Sequence, residues 1–197
     1  MDHWRTFLER YSEQLLATSD IWIEVPDDVR QTGWMGYAPA TETAIVTSER
    51  QLGRLLPESL RSFYAVTNGW RQTGYFIFNV LPVEQLGWLS DREPHLYELA
   101  CGAEQMPGPW PDDPGSQRLQ QYRDEQGGRV KRSLVISSEG DAATWLLDPG
   151  PDPHSGEWPG GRWASWNPAM EWSAQSFAEL MQQEFDSLLQ LRDKDCA

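Results

Sequence analysis

The chain has 197 residues with 30 acidic and 16 basic side chains, and its net charge of −14 argues against direct binding to nucleic acid or to an anionic membrane. Two cysteines, Cys101 and Cys196, are too few for a disulfide framework and favour a reducing compartment, with the cytoplasm as the default. No apolar run approaches the ~18 residues of a membrane span, and Arg5, Glu9, Arg10 and Glu13 break up the N-terminal segment where a signal peptide would be uninterrupted.

In chain order, Trp4, Phe7, Leu8, Tyr11, Leu15 and Leu16 fall at helical spacing and predict an amphipathic helix docked on the main body. DIWIEVPDD then predicts a short extended segment that turns at Pro26. A second helix is expected from Thr41, which can cap it, to Gly53, which can end it, with Ile45 and Leu52 facing inward. In a third, Pro57 suits the first helical position, Glu58 faces the positive end of the dipole, and Leu60, Phe63, Tyr64 and Thr67 follow before Asn68-Gly69 stops it.

YFIFNVLPV is aromatic, β-branched and bounded by Gly74 and Pro82, which predicts a buried strand. VEQLGWL and DREPHLYELACG read as short helical pieces, the second capped by Gly102, and MPGPWPDDPGS as a loop. Strands at 134–137 and 144–147, joined through Glu139-Gly140-Asp141, predict a hairpin, and a further strand follows the Pro/Gly-rich loop near Trp158. The closing helix starts on a Ser/Glu signal and carries Phe177, Leu180, Met181, Phe185, Leu188 and Leu189 on one stripe. Helices, then strands, then a helix make an α+β fold, a mostly antiparallel sheet flanked by helices, and not a regular βα alternation.

The sequence carries little that resembles chemistry. His3, His95 and His154 are far apart and lack partners at zinc-ligand spacing, and Pro149, Pro151 and Pro153 break any calcium-loop spacing around Asp148, Asp152 and Glu157. No metal, cofactor or catalytic residue is therefore expected. Glu139 and Asp141 flank a glycine, which favours a hairpin turn over an acid and base pair.

The anomaly is tryptophan: of 11, Trp158, Trp163, Trp166 and Trp172 crowd into one short stretch. Indoles bury large area yet need a partner for the N–H, which suits interfaces. Three readings stay open: a face for a protein partner, a platform for sugar rings, or padding between sheet and helix. Trp70, just beyond the Asn68-Gly69 stop, is a further surface or pocket candidate.

Leu52-Gly53, then Leu56-Pro57-Glu58-Ser59-Leu60, Phe63 and Asn68-Gly69-Trp70 resemble the signature of the SUKH superfamily, also called the Smi/Knr family, of toxin-immunity proteins. PATETAI resembles that family's preceding helix, LLDPG with Trp163 and Trp166 its C-terminal strands, and SFAELMQQ its closing helix. The resemblance implies residues 36–190 as one SUKH-like domain, residues 1–35 as a helix and extended segment packed on it, and residues 191–197 as a tail. It implies a non-catalytic protein that binds and blocks a bacterial toxin. A basic nuclease-type toxin would suit the charge. The family also has members in cell-wall regulation, which leaves a scaffold role as an alternative. The expected partner-binding residues are Trp70, Glu139, Asp141, Trp158, Trp163 and Trp166.

Overall fold

The computed structural model describes residues 2–18, 25–77, 79–105, 127–138, 143–151, 156–164 and 172–195. Helix α1 spans Asp2–Leu16 and α2 Asp27–Thr32. Helix α2 occupies the stretch after Pro26, where a turn is expected: Pro26 ends extended, and Asp27 and Asp28 favour the helix dipole's positive end. Residues 19–24, where the extended segment is expected, lie outside the described residues.

Helix α3, Glu42–Leu52, begins and ends as its sequence dictates. The Thr41 side chain accepts a hydrogen bond from the Ala44 amide, and Gly53 closes the helix at φ 67°. Helix α4, Glu58–Tyr64, starts one residue later than expected, with Pro57 as its extended N-cap and not its first helical residue, and it stops well short of Asn68. The chain leaves the helix early because its next polar groups serve other segments. The Thr67 hydroxyl accepts from the Tyr37 amide and donates to the Gly69 carbonyl, and the Asn68 side-chain oxygen accepts from the Val83 amide. Gly69, at φ 101°, is required by close approach as well: a Cβ there would lie 2.8 Å from the Val80 carbonyl oxygen.

The expected strand from Tyr75 to Val83 is not formed. The amides of Thr73 and Gly74 both donate to the Ile77 carbonyl, which curls this stretch into a loop, and among its described residues only Val80 makes bridges, to Trp70 and to Ser137. A 3-10 turn at Val83–Gln85 leads to β1, Gly87–Trp88, then α5, Leu89–Arg92, and α6, Pro94–Gln105. Helix α6 runs through Gly102, the expected cap. A helical turn over residues 127–131 precedes β2, Leu134–Val135, and β3, Ala143–Leu147. Strand β4 is Gly160–Ala164, and the last helix, α7, is Phe177–Asp195, so residues 191–195 are its final turns and not a tail.

The four strands lie in chain order and are all antiparallel, with Leu134 opposite Leu147 and Thr144 opposite Trp163. The architecture is α+β. All five residues of β3 are buried, because the sheet is covered on both faces. On the first face Leu134, Ala143, Trp145 and Leu147 join α1, α3, α4 and α7 in one large cluster. On the second, Val135, Leu146 and Trp163 pack with Leu81, Leu89 of α5, Leu96 of α6 and Val130. Helix α1 buries Trp4, Leu8, Tyr11 and Leu15 in the first cluster, and α7 adds Phe177, Leu180, Met181, Phe185 and Leu188. Among the described residues no helix is long and apolar enough to cross a membrane.

Candidate functional site

The tryptophans expected at a binding face are, where described, inside the protein. Trp70 is fully buried: its backbone bridges Gly36 on one side and Val80 on the other, so its ring enters the first core cluster. There it lies 5.8 Å from the Tyr11 ring and stands perpendicular to Trp34 at 5.4 Å, and its indole nitrogen has no hydrogen-bond acceptor among the described residues. Trp158 is 1% exposed and stacks on Trp88 at 6.4 Å. Trp163 is 4% exposed and belongs to the second cluster, across the sheet from the other two.

The expectation of half-exposed indoles is thereby corrected for these three. Trp163 points into helices on a face that a one-sided sheet would leave open, and the turn at Gly69 aims Trp70 inward. They do not form one face. Glu139, Asp141 and Trp166 lie outside the described residues.

What surrounds Trp158 is more informative. The Arg54 guanidinium sits over its ring at 5.6 Å and donates to the Pro149 carbonyl at 2.8 Å. The neighbouring Glu157 carboxylate accepts from the Ser59 amide at 2.8 Å and the Ser59 hydroxyl at 2.5 Å, which joins the loop before β4 to the start of α4. Arg61 of α4 pairs with Glu42 and with the buried Glu49, and Glu49 also accepts from the Leu56 amide at 3.1 Å. This corner holds Leu55, at 74% the most exposed large apolar side chain among the described residues. Sequence reasoning passed over Leu55. The signal was the Leu55-Leu56-Pro57 run ahead of a helix, in which Leu56 is drawn inward and its neighbour is left outside.

Among the described residues, two carboxylates have perturbed acidity. Burial alone would raise Asp148, but hydrogen bonds from Arg132, the Gly150 amide and Arg129, with the Arg132 charge, hold it below the usual carboxylate range. Glu184 of α7 packs against Gly74, and burial pushes it up to about 7 despite the opposing charge of Arg162. The first is a clamp between the end of β3 and the 127–131 turn. Among the described residues no group of three or more His, Cys, Asp or Glu side chains could hold a metal ion.

The family model for the SMI1 / KNR4 family (SUKH-1) matches residues 39–183, well over half of the chain. The chain belongs to the SMI1/KNR4 family. None of the curated proteins compared with it matches. The matched span begins at Pro39, two residues before the Thr41 cap, and ends inside α7, so it takes in α3, α4 and the whole sheet of this SUKH-1 protein and leaves out α1 and α2.

Proposed function

We propose that this SUKH-1 protein is a non-catalytic immunity-type binder, acting in the cytoplasm, that occludes the working face of a basic toxin domain of the nuclease type. Family membership carries the reading, and the charge of −14 supports it, since an acidic surface steers a basic partner and fails to attract nucleic acid. Trp70, Trp158 and Trp163 offer no open ring face, so these three do not favour a sugar-binding role. Affinity capture of the tagged protein from its host, eluted in rising salt and identified by mass spectrometry, tests the reading. A stoichiometric basic protein with a nuclease-like domain, released as salt increases, is the expected outcome. Housekeeping partners alone, or a partner insensitive to salt, would replace it with the scaffold role.

A further inference from the structure

Residues 72–77 curl against α7 and spend their polar groups on one another. The Thr73 and Gly74 amides and the Thr73 hydroxyl all donate to the Ile77 carbonyl, and the Gln72 side chain donates to the Gly74 carbonyl. The Tyr11 hydroxyl of α1 donates to the Thr73 carbonyl. Against this closed loop packs the half-buried Glu184 of α7, its carboxyl so near Gly74 that a Cβ there would overlap Oε1. Among the described residues no group donates a hydrogen bond to that carboxyl. An ionised carboxylate in such a place needs a counter-charge, because burial removes water and no donor replaces it.

The counter-charge is close but seated elsewhere. Arg162, exposed on the edge strand β4, holds its guanidinium over the Phe76 ring of the same loop at 5.0 Å, and its charge reaches Glu184 without forming an ion pair. The other charged and titratable groups on the elements packed here are committed. Tyr11 is kept neutral by burial and by the charges of Glu184 and Asp186. Arg10 of α1 lies over Phe185 at 5.2 Å, and Arg71, just before the loop, is held on Asp28 and the Gly36 carbonyl. Tyr75 is the only titratable side chain of the loop itself. We propose that Arg162 has two seats, on Phe76 while Glu184 keeps its proton and on the Glu184 carboxylate once the proton leaves, so that residues 72–77 are gripped in the first state and released in the second. A cation over an exposed ring is weakly held, whereas an ion pair at a half-buried carboxylate also offsets the cost of burying the charge. Loss of the proton therefore moves the guanidinium, uncovers Phe76, which is already 37% exposed, and makes the loop a flap that answers to pH.

The test is carbon-13 NMR of the full-length chain, labelled at Glu carboxyl, Arg Cζ and Phe ring carbons, between about pH 5 and 9. Substitutions at Glu184, Arg162 and Phe76 assign the signals. The three signals are expected to move together with one midpoint at about 7. In Glu184→Gln the other two should hold their acid positions throughout. Phe76→Leu removes the competing seat and should strengthen the acidity of Glu184 about two- to fivefold, while Arg162→Gln should weaken it. Arg162 and Phe76 signals that ignore the Glu184 midpoint overturn the proposal, as does a Glu184 acidity left unchanged by Phe76→Leu, or a wild-type Glu184 midpoint in the ordinary carboxylate range. The wild-type titration decides by itself, so a variant that fails to fold does not shelter the proposal.

Discussion

On the first face of the sheet, Trp145 and Leu147 share one core with rings from three helices, Trp4 and Tyr11 of α1, Phe63 of α4, and Phe177 and Phe185 of α7, whose contacting pairs have centroids 4.8–5.7 Å apart. On the second face, Val135, Leu146 and Trp163 meet a smaller, mainly aliphatic set from short helical pieces. The first face can be held by apolar area alone. The second has less of it, and an ion cluster stands beside it, with Asp148 receiving Arg129 at 2.7 Å and Arg132 at 2.6 Å. A sheet with unequal cover is stabilised by different physics on its two sides.

The comparison can be broken most sharply at Trp145. Trp145→Ala removes a ring from the middle of the first face and should cost about 3–5 kcal/mol in denaturant unfolding. Because β3 serves both faces, hydrogen exchange should then quicken on both.

Asp148→Asn should cost about 2–3 kcal/mol, below the full value for a broken buried pair because Arg129 and Arg132 are 26% and 39% exposed. Its loss of protection should be confined to the second face, as at the Leu89 amide, which donates to Ser133. The native carboxyl is held low, so its contribution is complete above the ordinary Asp range and is lost as pH falls through the depressed value. Wild type and Asp148→Asn should therefore converge in acid, and a constant gap would remove the clamp from the account.

Glu184 has the opposite sign. Its native pKa of about 7 lies above the ordinary 4.5, so the folded state binds the proton more tightly, and stability is full below that window and declines as pH rises through it. The decline should be about 2 kcal/mol after allowance for partial exposure, and Glu184→Gln should abolish it. Identical slopes for both proteins between pH 4.5 and 7 would show that this carboxyl is not the cause.

The smallest effect is expected at Trp70. Trp70→Phe keeps a ring in the core and deletes an indole N–H that has no acceptor among the described residues, so its cost should stay under about 1.5 kcal/mol. A larger loss in thermal unfolding would mean that the N–H is held after all.

What could be read from the sequence follows from range. The cap at Thr41, the stop at Gly53, the stripe of α7 and the pairing of β2 with β3 depend on neighbours in the chain, and each was legible. The early end of α4 was not, since it is decided by Tyr37 and Val83, far away in sequence. Nor was the loop at 73–77, where composition favoured a strand but the Thr73 side chain and two amides converge on one carbonyl. The candidate site was less legible still. An indole at a buried bridge and an indole at an interface have the same composition, and only the second layer of helices distinguishes them for Trp163.

Helix α1 lies wholly outside the span matched by the family model, yet Trp4, Leu8, Tyr11 and Leu15 sit in the same core as Phe63 and Trp145. Phe185 and Leu188 of α7 are also beyond it. The span that the family model matches and the unit that buries its own hydrophobic surface are therefore different objects in this protein. Cutting the gene at the edges of the first would strip eight buried apolar side chains, Val29 and Met35 among them, from the second, leaving a greasy trough where a helix had been.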